Sequence, residues 1–448
     1  MSSKRVAIIG AGVSGLVSIK SCLEEGLTPV CFEKSDRIAG LWNYSDIPRE
    51  GDGGALYECL VTNSSKEMMY FSDFPFKKEY PPYLTPPLVL NYYKDYADHF
   101  ELHKYIKLKT TVTKVVKSED FSETGRWIVR TQEEGQAEKQ EIFDAIMVCT
   151  GIYTKPFIPD CEGLDQFQGE KLHSNEFRRG RDFAGKTVVV VGDSHSAGDV
   201  ATDSSRHAKK VYLSMRDGTW VVLRMGPGAM TSDQIANKRF NHVIPDSLRQ
   251  FIVEKIVQSK IDHEKLGLKS SRRMFSGSVM VNDDIHNRIF CGSLKCKPEI
   301  QSFSKHGVKF VDGSEVNDLD AVVFATGYNI EFPFIDGSIL ADNFKDLELY
   351  FHVFPPRLEK NTLALIGGVA TVGAQGPVFE LQARWATRVF KGVASLPDRK
   401  PCWKMSGQKG NSLQEIRKTQ SFFSSGSISR RNSRSDRCET KVLEGAPY

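Results

Sequence analysis

The chain opens on an apolar run from Arg5 to Ile9, breaks at glycines, and resumes with apolar positions at helical spacing from about Ser14 to Glu24. Thr28 to Phe32 then reads as a second short strand, so the opening predicts a βαβ unit. The same succession returns as a strand Lys186 to Val191, a loop Gly192 to Ala197, a helix to about His207 and a strand Lys209 to Ser214. The two loops lie 182 positions apart. Each unit is followed at a distance by an apolar strand ending in Thr-Gly, at Ile146 to Gly151 and at Val322 to Gly327. Short strands that are apolar throughout suit parallel sheets covered by helices on both faces. The expected class is therefore α/β, with two doubly wound Rossmann-type dinucleotide-binding domains, the second inserted in the first.

Ile106 to Lys117 and Gly125 to Thr131 read as an antiparallel insertion closing on Ile142 to Val148. The expected division is 1–155 for the first part of one domain, 156–325 for the inserted domain and 326–403 for the return segment. From 404 to 448 the chain turns to Ser, Arg, Lys and Gly and reads as a disordered tail. Its Arg430-Arg-Asn-Ser433 matches a short kinase pattern, but so short a pattern is weak and a plain solvated tail is the favoured reading.

Composition narrows the class without choosing a partner. With 448 residues, 40% hydrophobic and 26% charged, the chain is long enough for two or three domains with sizeable cores. A net charge of +4 gives no ground for nucleic-acid binding. Nine cysteines at irregular spacing, none in C-x-x-C, point to free thiols in a reducing compartment. The N-terminus runs straight into the first strand, leaving no room for a signal peptide, and no apolar run approaches the roughly 18 residues of a membrane helix. A cytoplasmic protein is expected. His99 and His103, four apart, lack the Glu of H-E-x-x-H, and no metal site is expected.

Gly10-Ala-Gly12-Val-Ser-Gly15 follows a strand and opens a helix, and Glu33 ends the next strand. Gly10 permits a tight turn, Gly12 lets backbone approach a pyrophosphate, Gly15 lets helix and strand pack, and Glu33 can accept from ribose hydroxyls. The second loop, Gly192-Asp-Ser194-His-Ser196-Ala197, keeps only the first glycine, although the Ser194 hydroxyl can itself donate to a phosphate. No carboxylate ends the following strand. Ser214 and Arg216 stand there instead, which favours a 2′-phosphate and hence NADPH over NADH.

Phe167-Gln-Gly169-Glu-Lys-Leu-His173-Ser-Asn-Glu-Phe177 matches the F-x-G-x-x-x-H-x-x-x-[YF] motif, and the chain resembles the flavin-containing monooxygenase family from about Arg5 to Lys391. Gly40-Leu41-Trp42, Val61-Thr62-Asn63-Ser-Ser-Lys66, Phe71 to Pro75, Phe324-Ala-Thr326-Gly327-Tyr328 and Gln382 to Trp385 match as well. The resemblance implies FAD on the first unit, NADPH on the second, and cofactor contacts at Gly40, Leu41, Trp42, Thr62, Ser196, Thr326 and Gly327. It implies that Asn63 is the active-site asparagine, hydrogen-bonded near the reactive flavin adduct; by itself, Asn between Thr and Ser reads as a turn residue.

The implied reaction spends NADPH and O2 to oxygenate soft nucleophilic amines or sulfides of small molecules through a flavin hydroperoxide. The alternatives are Baeyer–Villiger oxidation, an uncoupled NADPH oxidase or a non-catalytic nucleotide-binding protein. Phe177 stands where Baeyer–Villiger enzymes usually carry Trp. Three departures from the family stand out: Ala39 in place of the first of two glycines before Leu-Trp, Ser194 in the second loop, and a replaced C-terminus without the hydrophobic anchor of microsomal members. Without that anchor, any contact with the endoplasmic reticulum is expected to be peripheral.

Overall fold

The computed structural model describes residues 3–397, except 48–53, 239–240, 242, 275, 277–278, 343–346 and 370–372, together with 403–404. The expected tail, with Arg430 to Ser433, lies outside the described residues.

Five strands form the first sheet in the order Leu363–Leu365, Ala145–Val148, Arg5–Ile9, Thr28–Phe32, Ile106–Lys107, every pair parallel. Helix Val13–Glu24 covers one face together with the amphipathic helix Gly376–Lys391, and Leu16, Ile19, Ala383, Ala386 and Phe390 share one buried core. Helix Gly376–Lys391 therefore closes the unit that strand Arg5–Ile9 opens.

A second sheet repeats the design in the order Leu294–Lys297, Lys210–Ser214, Thr187–Val191, Ala321–Phe324, Glu170–His173, again wholly parallel. In both sheets the strand that feeds the glycine loop is central, so each loop opens at the carboxyl edge of a buried strand, where doubly wound folds bind ligands. The chain crosses from the first sheet to the second and back along a short antiparallel ribbon, Lys155–Pro156 against Tyr328–Asn329.

The structure corrects the expected insertion. Its antiparallel strands are Thr110–Lys117, Trp127–Glu133 and Lys139–Phe143. Ile106–Lys107 joins the parallel sheet instead, separated from the insertion by a left-handed turn at Lys109 (φ 50°). Ile142 to Val148 is likewise two strands, divided at Asp144, whose carboxylate accepts the Arg5 N–H at 2.8 Å and anchors the switch between sheets. The second-unit helix is His195–Ser204, ending before His207 in a turn where the His207 N–H donates to the Ser204 carbonyl.

Candidate active site

Each glycine of the first loop has a distinct steric reason. Gly10 has φ 101°, and an added Cβ would stand 2.7 Å from the Cys149 carbonyl oxygen; at Gly15 it would stand 2.0 Å from the Gly10 oxygen. Gly12 is different, because its Cβ would meet nothing nearer than the Gly40 Cα at 3.9 Å. It is the N-cap of Val13–Glu24 without a side-chain cap, so the first-turn N–H groups face a rim built from backbone. Glu33 directly follows the adjoining strand, with Oε2 accepting the Ala11 N–H at 2.7 Å and Oε1 the Ser35 N–H at 2.9 Å. Each carboxylate oxygen keeps a lone pair for a hydroxyl. An open glycine cradle, free helix N–H groups and a fixed acceptor fit the pyrophosphate and ribose of FAD.

Gly40, Leu41 and Trp42 form a single 3-10 turn beside this rim, with Trp42 tilted against Tyr93. Ala39 enters it buried and left-handed (φ 71°), its N–H donating to the Ala11 carbonyl at 2.9 Å. Alanine thus adopts the conformation for which the family's glycine is suited.

The second loop is built alike. The Gly192 N–H donates to the Ser214 carbonyl at 3.0 Å, and an added Cβ at Gly192 would stand 2.5 Å from the Ala325 carbonyl oxygen. Ser194 caps helix His195–Ser204 through its backbone only, leaving its hydroxyl uncommitted to the helix. The Ser196 hydroxyl is bonded to Tyr57, whose own hydroxyl donates to Asp199 at 2.7 Å. Asn282 donates to the same carboxylate at 3.0 Å, and burial pushes Asp199 up to about 6.

The two groups expected at the 2′-phosphate part company. Ser214 is buried, and its hydroxyl donates to the Pro298 carbonyl at 2.8 Å. Arg216, at the carboxyl edge of the sheet, is 76% exposed, with only a 4.0 Å approach to Glu299. An exposed cation at the carboxyl edge of the sheet, whose glycine loop leads into a helix that no side chain caps, fits a 2′-phosphorylated dinucleotide. Thr326 donates to the Phe157 carbonyl, and the Gly327 carbonyl accepts from His173 Nε2 at 2.9 Å. The motif that carries the family resemblance thereby ties the edge strand Glu170–His173 to the returning chain.

Asn63 is exposed on a loop that Thr62 fixes, its N–H donating to the Leu84 carbonyl and its hydroxyl accepting the Leu84 N–H, both at 2.9 Å. Sequence reasoning missed what holds this loop from the other side. Arg224 donates to the carbonyls of Val61 and Thr62, each at 3.0 Å, and to Asn63 Oδ1 at 3.2 Å, while Asp233 accepts the Ser65 N–H at 2.6 Å. A lone Arg directly after the apolar run Trp220 to Leu223 was the available signal.

His99 packs on Phe74 and Phe100, and His103 bonds Asp98 at 2.8 Å. Among the described residues no group of His, Cys, Asp or Glu is arranged to hold a metal, and no helix is long and apolar enough to cross a membrane.

Residues 3–427 match the family model described as flavin-binding monooxygenase-like. Flavin-containing monooxygenase 5 of Cavia porcellus is 45% identical over 405 residues, 89% of this chain and 75% of that protein. Dimethylaniline monooxygenase [N-oxide-forming] 2 of Rattus norvegicus is 40% identical over 400 residues, 88% of this chain and 74% of that protein. Among solved structures, S-allyl-L-cysteine S-oxygenase from Allium sativum superposes with a TM-score of 0.66 at 25% identity, covering 95% of this chain and 82% of that one. The chain belongs to the flavin-binding monooxygenase-like family, and is a flavin-dependent monooxygenase with FAD and NADPH as its cofactors.

Proposed function

We propose that this enzyme uses NADPH and O2 to oxygenate soft nucleophilic nitrogen or sulfur centres of small molecules. The observation that carries the reading is the pair of like-built nucleotide cradles in one chain, each opening at the carboxyl edge of a parallel sheet. The substrate class follows the N-oxide-forming and S-oxygenase relatives. In this reading 1–155 with 326–403 carries FAD and 156–325 carries NADPH. Bound there, FAD reduced by NADPH supplies the activated oxygen.

The chain's own residues do the positioning. Gly10, Gly12 and Gly15 admit the FAD pyrophosphate to the helix N-terminus, Glu33 accepts from the ribose, and Gly40, Leu41 and Trp42 wall the flavin side. Gly192 and Ser194 hold the second pyrophosphate, with Ser196 serving through its backbone because its hydroxyl is bonded to Tyr57, Arg216 holds the 2′-phosphate, and Thr326 and Gly327 line the return beneath it. Ser214 serves through its backbone, since its hydroxyl is spent on Pro298. Asn63, beside Thr62, donates its amide toward the flavin where charge develops, a preorganised donor of the oxyanion-hole type.

Exposed Leu248, Phe251, Ile252 and Ile256 on helix Asp246–Lys260 support a peripheral contact of a cytoplasmic enzyme with the endoplasmic reticulum. The test of the substrate class is turnover with thioanisole and with N,N-dimethylaniline. Sulfoxide and N-oxide are expected, and NADPH oxidation that leaves both unchanged refutes the assignment.

A further inference from the structure

We propose that Arg224 is the positioning residue that sets which end of the Asn63 amide faces the reaction; this rests on the reading of Asn63 as the flavin-side donor. An asparagine amide offers two nearly isosteric ends, one accepting and one donating, and its terminal torsion is soft. Only the NH2 end serves where negative charge develops, so an unrestrained Asn63 presents the wrong end part of the time. A guanidinium has donors alone. Facing Arg224 Nη2 at 3.2 Å, the amide must turn its oxygen to the arginine, which turns its nitrogen away.

The arginine is itself fixed on every side. Nε donates to the Thr62 carbonyl at 3.0 Å and Nη2 also to Val61 at 3.0 Å, while Nη1 donates to Asp283 Oδ2 at 2.8 Å. The Arg224 N–H reaches Asp283 Oδ1 at 2.7 Å, and the Tyr83 hydroxyl donates to the Arg224 carbonyl at 2.8 Å. The side chain is only 12% exposed. Local topology explains the pairing. Strands Trp220–Val222 and Val279–Val281 run parallel with Val222 opposite Val281, and carrying that register two residues on sets Arg224 beside Asp283. A strand pair in the inserted segment thus orients a side chain on a loop some 160 positions earlier in the chain. Lysine cannot replace this fork, because an ammonium is a single point of donors.

The test compares Arg224→Lys, Arg224→Met, Asn63→Ala and the Arg224→Met/Asn63→Ala double variant, each loaded with FAD. Sulfoxide from thioanisole and hydrogen peroxide are counted against NADPH consumed. Both Arg224 variants should raise the peroxide-to-sulfoxide ratio roughly three- to tenfold, short of full loss of the donor, with the KM for NADPH unchanged. In the Asn63→Ala background the Arg224 change should add nothing. Independently of turnover, amide hydrogen exchange in Val61 to Ser65 should quicken in Arg224→Met while the two parallel sheets keep wild-type protection. Should Arg224→Met fail to fold, Arg224→Lys decides the ratio and exchange. A wild-type ratio in the Arg224 variants alongside a raised ratio in Asn63→Ala overturns the proposal and leaves Asn63 its role. Equal increments in both backgrounds also overturn it. An unchanged ratio in Asn63→Ala overturns the parent reading and this one with it.

Discussion

Two glycines of one fingerprint should fail in opposite ways when each is changed to alanine. At Gly15 the new Cβ falls 2.0 Å from the Gly10 carbonyl oxygen, about 1 Å inside the nearest tolerable contact, so helix Val13–Glu24 must separate from its strand. Overpacking of a well-packed core costs about 1–3 kcal/mol and occasionally more, and this backbone clash belongs at the upper end. A loss of ~3 kcal/mol lowers the melting temperature by about 6 °C or more. At Gly12 the Cβ meets only the Gly40 Cα at 3.9 Å, and the backbone (φ −72°, ψ −167°) is one alanine adopts freely. There the gain of roughly 0.4–1 kcal/mol from a stiffer unfolded chain offsets the poorer N-cap, leaving the apoprotein within about 1 kcal/mol of wild type.

The Gly12→Ala methyl nevertheless fills the place where backbone must approach a phosphate. Its FAD affinity should fall on the order of a hundredfold, or ~2.7 kcal/mol. Thermal unfolding of the apoproteins, followed by titration with FAD, separates the two outcomes. Gly12→Ala should melt with wild type and bind FAD poorly, whereas Gly15→Ala should melt early even without cofactor. A Gly12→Ala variant that takes up FAD like wild type, or a Gly15→Ala variant of unchanged stability, refutes the assigned roles.

Three further expectations follow from the same geometry. Arg216→Ala should raise the KM for NADPH about tenfold and that for NADH hardly at all, because an exposed charge on a phosphate contributes ~1.4 kcal/mol; equal penalties remove Arg216 from the 2′-phosphate. Asn63→Ala should keep FAD and NADPH oxidation while peroxide replaces product, since one preorganised donor contributes roughly 2.7–4 kcal/mol where charge develops; product yield equal to wild type makes Asn63 a turn residue. Burial raises Asp199 to about 6, so its contribution to stability is full below the ordinary carboxylate pKa and is lost as pH rises through 6. Relative to Asp199→Asn, wild type should lose stability from pH 4 to pH 7, on the order of 3 kcal/mol at most, and a pH-independent difference in melting temperature contradicts this.

The two βαβ openings were legible in the sequence because strand, tight loop and helix are local. Gly15 meets the Gly10 carbonyl within the same short motif, whereas the neighbours of Gly10 and Gly12, Cys149 and Gly40, come from distant segments that the motif does not name. Where local pattern ran continuous the reading failed: Ile142 to Val148 looks like one apolar strand, yet Asp144 anchors to Arg5 and splits it between two sheets. Ser214 shows the opposite limit, since a serine at a strand end looks available until a distant carbonyl, that of Pro298, accepts its hydrogen bond. Arg224, Asp233 and Asp283 were invisible as a set. Nothing periodic links them, and only the pairing of two three-residue strands and the fold of the Asn63 loop bring them together.

The central claim is that two nucleotide cradles and the Asn63 loop together deliver an oxygen atom to a soft nucleophile. The most direct measurement is the stoichiometry of a single reaction mixture containing FAD-loaded protein, NADPH, O2 and thioanisole. One sulfoxide formed for each NADPH and each O2 consumed is the predicted result; NADPH consumed with hydrogen peroxide as the sole oxygen product would contradict it.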